Sequence, residues 1–166
     1  MGQQQLLLLV LGIVIVGLAV VVGINAFGEN QKRANADALV NDALRIASDV
    51  QAWALKPEQF GGAGGWTRVD IGTDPDAFFQ DELGYSLTDG EYINVNGSFE
   101  IAGDSDRVLI TASNDDQSNA VYISVCGVTQ QEILTQIDYQ GVSGSQEPRA
   151  CTGDGTGDGT DDGTGG

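Results

Sequence analysis

Leu6–Ile24 reads LLLLVLGIVIVGLAVVVGI, nineteen residues of Leu, Val, Ile, Ala and Gly with no charge and no Pro. At 1.5 Å per residue a helix of this length covers about 28 Å, the depth of a bilayer's hydrocarbon core. The run is therefore a membrane-spanning candidate, and the rest of the chain is read as its cargo. A cleaved secretory signal competes with this reading. Such a signal wants a positive start, a shorter apolar core and a small-residue cleavage site. The chain starts Met1-Gly2-Gln3-Gln4-Gln5, without Lys or Arg, and the run leaves through Gly23-Ile24-Asn25-Ala26-Phe27. Retention of the segment is favoured.

Beyond Ile24 the pattern turns amphipathic without a break. Leu39, Val40, Ala43, Ile46, Ala47, Val50, Trp53 and Ala54 recur at steps of three and four, with Asn35, Asp42, Arg45, Asp49 and Gln51 between them. That spacing predicts a helix with one stripe against a partner layer. The first Pro is Pro57, which disfavours helical geometry in the residue before it, so the helix is expected to end near Leu55 or Lys56. Gly28 is a candidate kink. One helix over both halves would run about 75 Å.

Gln59-Phe60-Gly61-Gly62-Ala63-Gly64-Gly65 reads as a flexible connection, because Gly holds neither helix nor strand cheaply. A phosphate-cradling loop is disfavoured, since no Lys-Ser/Thr follows. Trp66 to Ile71 suggests a short strand, and Asp74-Pro75 a turn or brief helix through Leu83. From Glu91 the period becomes two. Tyr92–Val95 and Ser98–Ile101 flank Asn96-Gly97, which predicts a hairpin with a type I′ turn. Arg107–Thr111 and Ala120–Val125 are two further strands, with Asp104-Ser105-Asp106 and Asn114-Asp115-Asp116 as turns. Thr129–Tyr139 fits either a helical turn or an edge strand. The fold class expected is α+β: a long N-terminal helix, apolar half plus amphipathic half, packed on a small antiparallel β-meander. The chain divides into an apolar helix at 1–27, its amphipathic continuation at 28–56, a Gly-rich connection at 57–90, the sheet region at 91–151 and a tail at 152–166.

The chain carries 24 acidic against 7 basic residues, a formal charge of −17, and no His. A surface this acidic argues against nucleic acid, which needs a basic patch, and suits a high-salt habitat. Without His no Ser-His or Cys-His nucleophile pair exists, and an enzyme is not expected. The tail, TGDGTGDGTDDGTGG, reads as a solvated spacer; Asp154, Asp158, Asp161 and Asp162 lack the Glu and the apolar residue that calcium-loop patterns require. No cofactor and no metal are expected. Asn96-Gly97-Ser98 matches the N-x-S pattern, which is weak evidence for a glycan. Cys126 and Cys151 are the two cysteines. On a chain that crosses a membrane such a pair favours a disulfide, with two buried free thiols as the alternative. Without CxxC spacing or His, a zinc role is disfavoured.

This layout resembles the type IV pilins and their pilin-like relatives. The resemblance rests on an apolar half (Leu6–Ile24), an amphipathic half (Asn25–Leu55), a linking loop, a sheet over about Glu91–Val125, and a C-terminal Cys pair. It also rests on Gly2-Gln3, where a Gly stands ahead of the apolar run as at prepilin cleavage sites. The resemblance implies processing at Gly2 or Gln3, with Cys126 and Cys151 as the family's disulfide loop. It implies a subunit that waits in the cytoplasmic membrane and is extracted by an assembly machinery. It then polymerises with identical copies into an extracellular helical filament, through the helix that carries Leu6, Leu9, Ile13, Val16, Val20 and Ile24. Gly12, Gly17 and Gly23 would allow close helix approach. The chain departs from the family pattern in three places. Only Met1-Gly2 precede Gln3, the usual Glu at the fifth mature position is lacking, and so is the usual Pro late in the run. The first basic pair, Lys32-Arg33, lies beyond the span, and by the positive-inside rule alone would sit in the cytoplasm. The Cys pair and the acidic region favour the opposite orientation. Two other functions fit the same pattern: a minor pilin or type II secretion pseudopilin, and a single-pass anchor presenting an extracytoplasmic binding domain.

Overall fold

The computed structural model describes residues 2–66, 71, 74–104, 107–139 and 151. One helix, α1, runs from Gly2 to Leu55, 54 residues or about 80 Å. It passes Gly28 without interruption and ends one residue before Lys56-Pro57, where the sequence places its stop. Its buried residues, Ala36, Leu39, Ala43, Ile46, Ala47, Val50 and Ala54, all lie in the second half and form one stripe. Val40 and Trp53 flank that stripe, half-buried.

The Gly-rich connection is a cap and not a free hinge. The last turn of a helix leaves carbonyls without intrahelical donors. Here Ala63 N–H reaches the Trp53 carbonyl at 3.4 Å, Gly65 that of Ala54 at 2.8 Å, and Gly64 that of Lys56 at 2.9 Å. A Cβ on Gly62 would strike the Lys56 carbonyl, so close approach demands glycine there. Because those N–H groups are spent on carbonyls at and just past the helix end, they do not cradle a phosphate. The strand expected at Trp66–Ile71 lies largely outside the described residues, as do the Asp104–Asp106 turn and the 152–166 tail. Asp74 caps a short helical segment, α-helical at Pro75–Ala77 and π-helical at Phe78–Glu82, by accepting from Ala77 N–H at 3.1 Å.

The sheet is a five-stranded antiparallel meander in sequence order: β1 Tyr92–Ile93, β2 Ser98–Asp104, β3 Arg107–Asn114, β4 Asn119–Val125 and β5 Ile133–Asp138. The ambiguous 129–139 stretch resolves into a single 3-10 turn, Gln130–Glu132, followed by edge strand β5. The sheet thus extends beyond Val125. In β3 Val108, Ile110 and Ala112 alternate inward. β4 is buried along its whole length, with Val121, Ile123 and Val125 in the core shared with α1. Phe99 and Ile101 of β2 and Phe78 and Phe79 complete that core. An aromatic chain runs along it, Phe79–Tyr85–Tyr92–Phe99, with centroid spacings of 4.8, 4.9 and 5.8 Å.

The hairpin differs from the expected one. Ile93 pairs with Ser98, which leaves a four-residue loop, Asn94–Gly97, instead of a two-residue type I′ turn. Neither Asn96 nor Gly97 has the positive φ that a type I′ turn requires. The Asn94 side-chain oxygen instead accepts from the Asn96 and Gly97 N–H groups at 2.8 and 3.1 Å. Gly97 is needed because a Cβ would strike the Ser113 carbonyl and lie 2.8 Å from Leu39 Cδ2. The expected Asp115-Asp116 turn does form, closed by Ser118 N–H on the Asp115 carbonyl at 3.2 Å.

Candidate assembly surface

The helix halves differ in what covers them. The sixteen large apolar side chains from Leu6 to Phe27 are each between 51 and 68% exposed. They include Leu6, Leu9, Ile13, Val16, Val20 and Ile24, and they point in every direction around the axis. Mean hydropathy reaches 3.2 over an 18-residue window, so this helix is long and apolar enough to cross a membrane. Fully burying one such side chain is worth about 1.5–3 kcal/mol. Sixteen together exceed the 5–15 kcal/mol by which a whole domain is stable. This surface therefore calls for a cover, whether lipid or other protein.

Among the described residues nothing crowds the glycines between Gly12 and Gly28. A Cβ on Gly12, Gly17, Gly23 or Gly28 would meet nothing within 4 Å. Each Gly costs about 1 kcal/mol of helix propensity against Ala. Space for another helix backbone is what a missing Cβ provides. Gly2 and Gln3 form the first helical turn and are exposed.

The second half is fixed to the sheet in a definite orientation. The Asn119 side-chain amide donates to the Lys32 carbonyl at 2.8 Å, which brings the start of β4 level with the start of the packed helix. Gln51 donates to the Gly127 carbonyl at 2.7 Å, which brings the end of β4 level with its last turns. β4 therefore runs alongside α1, and the head has a near end, beside the apolar run, and a far end, at Leu55. At the near end Asp42 Oδ2 accepts from both Asn94 and Asn96 side-chain amides, at 2.9 and 2.7 Å. The Asn96 carbonyl accepts from Asn35 and Asn114, at 3.0 and 2.6 Å. The Asn96 nitrogen that a glycan would occupy is thus engaged with Asp42.

At the far end Cys126 and Cys151 form a disulfide with Cα atoms 5.5 Å apart, closing 25 residues of chain. Trp53 Nε1 donates to Glu82 Oε2 at 3.0 Å. Midway, Tyr85 Oη donates to Asp49 Oδ2 at 2.5 Å. Burial pushes the Tyr85 phenol well above its ordinary range, reinforced by the Asp49 hydrogen bond and charge and opposed by Arg45. Burial also raises Glu100, with Glu91 and then Asp76 adding to the effect. Bonds from the Thr129 hydroxyl and N–H hold Glu132 low.

Among the described residues no three His, Cys, Asp or Glu side chains are grouped to hold a metal. The Asp42 cluster escaped sequence reasoning, because its members lie up to 54 residues apart. Asn35 and Asp42 stand between the apolar positions of the helix stripe. Read together with the Asn-rich hairpin loop, they are the available signal.

The architecture as a whole, a long apolar N-terminal helix packed on a small antiparallel meander, is a pilin-like arrangement. No protein-family model, curated protein or solved structure matches the chain.

Proposed function

We propose that this chain is the structural subunit of an extracellular type IV pilus-like filament, with no catalytic role. Before assembly it sits in the cytoplasmic membrane, with residues 6–27 as its span. An assembly machinery then extracts it and its apolar half packs among those of identical copies. The observation that carries this reading is an apolar half exposed on every side, continuous with a helix whose other half is locked to a folded head. A helix bare on all sides satisfies itself in a helical array through a heterologous contact that does not close. The unexplained glycines give such an array room for close packing. The disulfide suits an oxidising exterior, and the head's acidity keeps fibre surfaces apart.

The test is intact mass of the protein in fibres sheared from cells, with the same sample imaged. Abundant thin filaments built of this one chain, starting at Gly2 or Gln3, are the expected result. Protein confined to the membrane pellet, with no filaments, would instead identify an anchor for a binding domain.

A further inference from the structure

Outside the apolar run, the described residues expose six large hydrophobic side chains, and four of them fall into two groups at opposite ends of the head. Leu55 and Phe60, 61 and 72% exposed, stand at the far end. Ile93 and Val95, 57 and 99% exposed, stand at the near end. We infer that successive copies stack head to tail, the Leu55–Phe60 stretch of one seating against the Ile93/Val95 loop of the next, with Lys56 meeting Asp115 and Asp116. This contact rests on the filament reading and specifies one interface within it.

The near-end loop is built backwards for a solvent-facing turn. Its polar side chains, Asn94 and Asn96, turn inward to Asp42, and the Asn96 carbonyl takes two further amides. The apolar Val95 is what remains on the outside. A tip fixed by so many bonds loses little freedom when it docks, so its burial contributes nearly in full. Beside it lies an open groove of about 300 Å³, lined by Ile93, Val95, Gly97, Ser113, Asp115 and Asp116. The far-end stretch is equally set. Phe60 N–H bonds the Pro57 carbonyl at 2.9 Å, and the glycine cap holds the chain against the helix end.

Charge selects the pairing. With 24 acids against 7 bases, two copies repel unless a base meets an acid. Lys56 is one of two lysines in the chain and lies between Leu55 and Phe60, with Glu82 nearby. The acidic pair Asp115-Asp116 borders the opposite groove. The geometry closes as well. The loop sits level with Asn35–Asp42, so bringing it to Leu55–Phe60 of the preceding copy shifts the chain by about 30 Å along the helix. That shift sets the apolar run of one copy beside the amphipathic half of its neighbour, with all helices parallel.

The experiment uses fibres of the full chain carrying Phe60→Cys and Val95→Cys together, treated with a bismaleimide cross-linker and run on denaturing gels. A ladder of multimers is expected from the double variant and none from either single variant. In parallel, Lys56→Asp should lower fibre yield at least tenfold, and adding Asp115→Lys with Asp116→Lys should restore it. Fibres that form normally with Lys56→Asp and give no ladder would overturn this contact while leaving the filament reading standing. Absence of fibres from the unaltered chain would remove both.

Discussion

Residues 2–27 and 28–55 are one helix, yet they are held by different things. The second half has a partner inside its own chain: a stripe of seven buried residues, from Ala36 to Ala54, against the sheet. Among the described residues the first half has none, and its large apolar side chains are exposed on all sides. Backbone hydrogen bonding is the same in both, so the difference lies entirely in where apolar surface goes. The second half uses its apolar surface in folding the head, and the first half leaves its own uncovered by the described residues. A substitution should therefore act on assembly or on folding according to which half it strikes.

The largest expected effect comes from the first half. Val16→Asp would bury a charge among neighbours at a cost of several kcal/mol in every subunit, and fibres should disappear. The head should melt as before, because Val16 is exposed and belongs to no part of the head's described core. Electron microscopy of sheared material and thermal melting of the same protein check both halves of that statement. Striking the other half should reverse the pattern. Ile46→Ala removes a 1%-exposed side chain from the shared core and should cost the head about 2–5 kcal/mol by denaturant unfolding.

The disulfide lies on the second half's side of the comparison. Replacing Cys126 and Cys151 with Ser should cost about 3 kcal/mol, since the bridge restrains a 25-residue separation in the unfolded chain. An unchanged unfolding midpoint would contradict that contribution. The smallest effect is one of pH. The Tyr85 phenol is raised in the folded head by burial and by Asp49. Its contribution is fully present below the ordinary phenol pKa, near 10, and is lost as pH rises from there through the raised value. Tyr85→Phe should flatten that alkaline loss while leaving fibre formation at neutral pH unchanged.

The two halves were legible in the sequence for a physical reason. Uniform apolarity and a three-four stripe are local patterns, and Pro57 marks the stop. The strands were legible by their alternation, and β4, buried throughout, still carried β-branched residues. What escaped was set by particular contacts that local pattern does not encode. Asn96-Gly97 carried the signature of a two-residue turn, but Asp42, Asn35 and Asn114 held its neighbours in a wider loop. The glycines after Phe60 looked like slack, whereas Gly62 is required by the Lys56 carbonyl it sits against. The Thr129–Tyr139 stretch had too few apolar residues to choose its own period, and pairing with β4 decided it as a strand.

The claim that governs the rest is that the apolar half is covered by copies of itself. A cryo-microscopy reconstruction of fibres sheared from cells tests it most directly. Residues 6–27 should form a core of parallel helices about 8–10 Å apart, with the sheets outside. A fibre held together by heads alone, with its apolar helices absent from the axis, would contradict it.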